Sequence, residues 1–189
     1  METTLLTKEN AHRVTMVRRV DAPESEPVAF LFRGKRYGYC SYSHLVGNPG
    51  GEEILAPANF KDWEVVEVAH PGYLEEYFRR ACDSYNLTSF SPEERGETDI
   101  ASHEKELHED LQSMPEQQRE RYMENYKRYF SAMIAANSRC ASAMITGPAR
   151  FNTARNERPA TATQSVTAFR EWRERALEAI RKALEAAKP

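Results

Sequence analysis

The sequence predicts an α+β fold: a small antiparallel β-sheet from the N-terminal part, then a helical C-terminal half containing a long antiparallel helical hairpin. Three observations carry this. Before residue 70, short β-branched and aromatic runs alternate with Gly, Pro and Asn clusters. From Tyr122 onward, apolar residues recur three and four apart, the spacing of one helix face. A Gly147-Pro148 stop then separates that stretch from a second amphipathic segment ending near the C-terminus.

The strands come first. His12 to Val20 has an imperfect period of two, with Val14 and Met16 on one face and Val17 on the other. After the turn-rich Asp21 to Pro27, Val28–Arg33 reads as a strand, Gly34-Lys35 as a turn, and Arg36 to Tyr42 as the returning strand of a hairpin. Gly47-Asn48-Pro49-Gly50-Gly51 marks a loop. Trp63 to Ala69 is a further strand, closed by His70-Pro71-Gly72. The expected sheet has three or four strands.

The helices follow. Tyr73 to Tyr85 places Leu74, Tyr77, Phe78 and Ala81 at helical spacing. Ser91-Pro92-Glu93-Glu94 is a helix start, with Pro in the first turn and acids at the positive end of the dipole; Gly96 threatens to interrupt that helix early. Ser113 and Glu116 fit a capping box. From there Tyr122, Tyr126, Phe130, Met133, Ile134, Asn137, Ala141 and Met144 predict one helix over about 115–145, roughly 45 Å long. A last helix, from near Ser165 to about Ala187, carries Val166, Phe169, Trp172, Ala176, Leu177, Ile180 and Leu184 on one arc. It is too amphipathic to stand alone and is expected to fold back on the long helix through Trp172. Two domains result: a small α+β domain over residues 1–90 and a helical domain over 91–189 with a basic loop at 147–164.

A net charge of -3 conceals an uneven layout. Residues 91–125 hold 4 basic and 11 acidic side chains, whereas residues 126–189 hold 12 basic and 5 acidic. Such blocks bear on partners and steering rather than on fold. The plainer alternative is that acidic and basic helices lie against each other. No apolar run approaches the roughly 20 residues of a membrane span. The N-terminus lacks the basic and apolar regions of a secretory signal, and Cys40, Cys82 and Cys140 are odd in number and far apart. A cytoplasmic protein of a bacterial host cell, without membrane contact, is the expectation.

Two segments offer binding chemistry. Lys35-Arg36-Tyr37-Gly38-Tyr39-Cys40-Ser41-Tyr42 resembles the RNP1 strand of RNA-recognition domains, where aromatic rings stack on bases beside a basic residue. Arg36 departs from that pattern, and so does the context, since no βαβ unit precedes it. The plainer reading is an aromatic hairpin strand with Tyr37 and Tyr39 on one face, in the core or on the sheet surface. The second segment gathers Arg150, Asn152, Arg155, Asn156 and Arg158 around Phe151, shortly after Arg139. Guanidinium groups suit phosphates, and Asn side chains can reach base edges. The same arginines could instead brace the acids of 91–125, or form a protein interface.

The run from Ser138 to Phe151, SRCxSxMITGPARF, resembles uncharacterised domains of bacterial mobile elements, found in phages, plasmids and conjugative elements within large polyvalent proteins. The likeness continues through Arg155 to Glu157 and Glu171 to Arg175, about the C-terminal third of the chain. It implies a protein deployed beside foreign DNA to counter host defence, CRISPR effectors included. It transfers no catalytic residue.

Catalysis and metal binding have little to stand on. His103 and His108 are five apart and share no helical face; Glu104 and His108 do, but two ligands make no site. Cys140 is expected to be buried on the long helix, and the Glu75-Glu76 and Glu93-Glu94 pairs fall on helix starts or faces without an apolar pocket. The chain carries no P-loop, no GxGxxG and no serine-nucleophile motif. The expectation is a non-enzymatic protein without cofactor or metal, binding nucleic acid (DNA rather than RNA) or a nucleic-acid-bound host protein. The alternative is a protein-protein inhibitor whose acidic 91–125 segment mimics nucleic acid.

Overall fold

The computed structural model describes residues 4–22, 28–33, 39–43, 52–147 and 159–187. The fold class is α+β, as the sequence predicts, and the chain divides into two compact units, Met1–Glu75 and Glu76–Pro189. The division falls before residue 90 because the helix after His70 packs with the helices that follow it, so that helix belongs to the second unit.

The first unit holds one antiparallel sheet of five strands, one more than the upper expectation: β1 (Val14–Arg19), β2 (Ala29–Arg33), β3 (Tyr39–Ser43), β4 (Glu52–Leu55) and β5 (Trp63–Val68). The order is β4-β3-β2-β1-β5, so β1 to β4 form a meander and β5 returns to the free side of β1. Sequence reading missed β4 because its four residues open on Glu52 and Glu53, a weak pattern for a strand. The turn at Gly34-Lys35 and the loop at Gly47 to Gly51 lie outside the described residues.

The imperfect alternation of β1 has a structural cause. Its register against β5 shifts between Val14 and Met16 and again between Met16 and Val17. A bulge there lets Val14 and Val17, three apart, both enter the core, while Met16 is only half-buried. Around them pack Leu6, Ala29, Leu31, Tyr39, Leu55, Phe60 and Trp63. Thr4 and Leu6 add backbone hydrogen bonds to the outer edge of β5.

The second unit is helical: α1 (Phe78–Ser84), α2 (Pro92–Gln112), α3 (Glu116–Asn137), α4 (Ala143–Thr146) and α5 (Pro159–Ala186). Five expectations need correction here. Gly96 does not interrupt α2. A Cβ at that position would sit 2.4 Å from the Cys82 backbone nitrogen, so the glycine is what lets α1 and α2 approach. Ser113 does not cap α3; its hydroxyl donates back to the Asp110 carbonyl at 2.7 Å, finishing α2, and Pro115 occupies the N-cap position of α3.

The long helix stops at Asn137 instead of running to 145. Ser138 Oγ donates to the Ala135 carbonyl, and the Arg139 and Cys140 amides close short turns onto Ala136 and Asn137, the local competition that Ser and Asn bring to a helix. Cys140 therefore lies after the helix and is half-buried rather than core. The last helix begins at Pro159, not Ser165, so residues 159–164 of the expected basic loop are helical. Gly147, at φ +74°, ends α4 in the left-handed conformation that favours glycine.

α3 and α5 do form an antiparallel pair. Trp172 sits between Tyr122 and Tyr129, with ring centroids at 5.2 and 4.8 Å and interplanar angles of 30° and 20°. Those tyrosines are seven residues apart on α3, two turns or about 10.5 Å, which leaves room for one indole between them. Phe169, one turn earlier on α5, meets Tyr126 edge-on at 4.9 Å.

Candidate functional site

The inner faces of α2, α3 and α5 carry a polar network that sequence reading missed. α2 turns Ile100, Glu104, Leu107 and Leu111 inward at helical spacing and places Glu106 and Asp110 beside them, one turn apart. Arg173 of α5 reaches both acids. Its Nε and a terminal nitrogen bind the two Asp110 oxygens at 2.7 Å each, and its other terminal nitrogen lies 3.0 Å from Glu106 Oε2. Tyr122 donates to Asp110 Oδ2 at 2.7 Å, and Tyr126 donates to Glu106 Oε1 at 2.5 Å. With the Tyr126 proton committed to Glu106, His103 Nδ1 at 2.8 Å is left to donate to the Tyr126 oxygen. The imidazole lies among Phe130, Phe169 and Tyr126, at 4.9, 5.4 and 6.0 Å.

The protonation states follow from these contacts. Burial, reinforced by the hydrogen bonds to Asp110 and Glu106, pushes the Tyr122 and Tyr126 hydroxyls well above their ordinary pKa. Burial also pushes the Glu106 carboxyl up, but the His103 imidazole 3.7 Å away, the Tyr126 hydrogen bond and the Arg173 charge outweigh it, and the net shift is downward. The hydrogen bonds to Asp110 hold the Arg173 charge against the cost of burial. In α1, burial and the charges of Glu93, Glu97 and Asp83 push the Cys82 thiol up to about 11.

Beside the network lies an open cleft of about 520 Å³, floored by Met133, Ile134, Val166 and Phe169 and rimmed by Asp99, Arg170 and Glu174. At its far end Tyr85 donates to Asp99, and Asn137 donates to Ser84 Oγ at 3.3 Å. His103 is engaged with Tyr126, whereas His108 Nε2 lies 2.8 Å from Gln112 Nε2.

Of the residues singled out from sequence, two are described. Tyr39 is in the sheet core, edge-on to Phe60 at 5.9 Å, so it is a packing residue rather than a stacking platform. Arg139 is exposed in the turn after α3. Lys35, Arg36, Tyr37, Arg150, Asn152, Arg155, Asn156 and Arg158 lie outside the described residues. A signal for Arg173 was present: it stands four after Phe169 and three before Ala176, within the apolar arc, where a charge requires a partner.

No protein family, curated protein or solved structure matches this chain. Among the described residues, no helix is long and apolar enough to cross a membrane.

Proposed function

We propose that this chain is a non-enzymatic accessory protein of a mobile genetic element. It binds nucleic acid, or a nucleoprotein complex such as a CRISPR effector, through the arginine-rich connection between Gly147 and Pro159. The observation that carries the reading is the engagement of Glu106 and Asp110 inside the helical unit. Arg173 reaches both Asp110 oxygens and one Glu106 oxygen, Tyr122 donates to Asp110 Oδ2 and Tyr126 to Glu106 Oε1. Two acids of the 91–125 block thus have a cation of their own unit as partner, and the arginine-rich segment is proposed to serve another role. The motif from Ser138 to Phe151 supports the mobile-element setting.

The same observation disfavours the acidic-mimic alternative. Glu104 and Asp110 are buried and Glu106 is paired, so part of the acidic block faces the protein interior. A binding role also accords with the titratable groups: the Cys82 thiol is buried and poorly ionised, and Tyr122 and Tyr126 hold their protons. The test replaces Arg150, Arg155 and Arg158 together with Ala and compares DNA affinity with melting temperature. Weaker binding at an unchanged melting temperature supports the proposal. A lowered melting temperature with unchanged binding makes these arginines structural braces.

A further inference from the structure

We infer that a second cavity, between α3 and the later turns of α5, is a site for one adenine nucleotide. This goes beyond the nucleic-acid reading above, which uses the connection between Gly147 and Pro159. The cavity has a volume of about 540 Å³, within the range of small-molecule sites. Gln117, Gln118, Arg121 and Asn125 form its α3 wall, and Ala176, Ala179 and Ile180 its α5 wall. The charge pattern selects an anion. No carboxylate lines the cavity. On a helix, a cation is ordinarily neutralised by acids three or four residues away. Around Arg121 those positions hold Gln117, Gln118 and Asn125, with a single acid, Glu124. Lys127, Arg173 and Lys182 each hold a carboxylate at 2.7 to 3.2 Å, whereas Arg121 is exposed and pairs with none among the described residues. On the flanks stand Arg128, Arg175 and Lys182 against Glu171 and Glu178, and Glu178 is already paired with Arg181 and Lys182.

The neutral groups select the base. A carboxamide offers a donor and an acceptor side by side, which together match N7 and the N6 amino group of adenine. Three carboxamides line the cavity. Asn125 Nδ2 donates to the Arg121 carbonyl at 2.8 Å, which leaves Gln117 and Gln118 for a two-pronged contact. Across the gap, the side chains of Ala176, Ala179 and Ile180 give the flat face of a base an apolar cover. The walls are preformed, because Trp172 is held between Tyr122 and Tyr129 and fixes α5 on α3, so little ordering opposes binding. A guanidinium beside carboxamides, opposite an apolar wall, thus answers phosphate, base edge and base face in one ligand.

The test titrates the full chain with AMP, adenosine and inorganic phosphate in a calorimeter. AMP is expected to bind at least about 10-fold more tightly than either fragment, since only AMP engages both the cation and the carboxamides. Arg121→Gln is expected to cut AMP affinity about 10-fold, leaving adenosine binding and the melting temperature unchanged. Ala179→Phe, at an exposed position, fills the cavity and is expected to abolish AMP binding at an unchanged melting temperature. AMP binding no tighter than that of phosphate, or full AMP affinity in either variant, overturns the inference. An oligodeoxyadenylate of about 10 nucleotides separates the two sources of the ligand. Affinity about 10-fold above that of AMP, lost in Ala179→Phe, makes it an unpaired nucleotide of a strand, whereas affinity no greater than that of AMP makes it a free nucleotide. A chain that binds the strand through Arg150, Arg155 and Arg158 but does not bind AMP leaves the nucleic-acid reading standing and overturns this inference alone.

Discussion

Arg173 grips Asp110 with two parallel hydrogen bonds of 2.7 Å, and through them α5 is fixed to α2. The Asp110 side chain is 7% exposed and that of Arg173 27%, so the pair is largely withdrawn from water. Breaking such a pair from one side strands a charge, whereas replacing both members often costs little. Arg173→Met is therefore expected to cost about 3 kcal/mol in urea unfolding. Adding Asp110→Asn, which still accepts from Tyr122, should restore part of the loss. A double variant less stable than Arg173→Met alone would deny the pairing this role.

The network sets limits at both ends of the pH scale. The Glu106 carboxyl has a folded pKa below its ordinary 4.5, so its contribution is present above that value and is lost as pH falls through the folded value. Glu106→Gln should flatten the acid side of the stability curve. Tyr85, Tyr122 and Tyr126 have folded values raised above 10, so the folded state holds protons that the unfolded state releases. Stability should fall as pH rises above 10. In a spectrophotometric titration these hydroxyls should ionise late, together with unfolding.

Helix propensity and packing oppose each other at Gly96. Within a helix, Ala is favoured over Gly by about 1 kcal/mol. Here an added Cβ would meet Cys82 N at 2.4 Å, Cys82 Cα at 2.5 Å and the Ala81 carbonyl carbon at 2.8 Å, all backbone atoms that cannot swing aside. Gly96→Ala is expected to destabilise by about 2 kcal/mol despite the better helix former. A neutral or stabilising result in thermal unfolding would mean that α1 and α2 are not held this closely.

Trp172 reports on the α3–α5 pair. Truncation to Ala should cost about 3 kcal/mol, the lower end for large aromatics because the indole is only half-buried. Trp172→Phe, which keeps a ring between Tyr122 and Tyr129, should cost markedly less. Equal losses in denaturant unfolding would argue against the stacked arrangement.

The sequence legibly carried the fold class, the strands from Val14, Ala29, Tyr39 and Trp63, and the meeting of Trp172 with the α3 stripe, because hydrophobic period records burial directly. It failed where a tertiary contact overrides local pattern. The β1 bulge is set by pairing with β5, and the role of Gly96 depends on the approach of α1. The end of α3 at Asn137 is a different case, set by local hydrogen bonds of Ser138, Arg139 and Cys140 that apolar spacing does not record. In the candidate site, Arg173 went unread although it stands within the apolar arc of α5, because its partners Glu106 and Asp110 lie on another helix. Tyr39 is the core residue that the plainer reading of its strand gave.

The most direct test of the central claim is the salt dependence of affinity for oligodeoxythymidine. Three arginine–phosphate contacts on a single strand should give a linear fall of log K with log salt concentration, at a slope of about -2. Replacing Arg150, Arg155 and Arg158 with Ala should remove most of that slope. A chain that shows no affinity at low salt, and instead competes with DNA for a basic protein channel, would contradict the account and return the functional surface to the acids of residues 91–125.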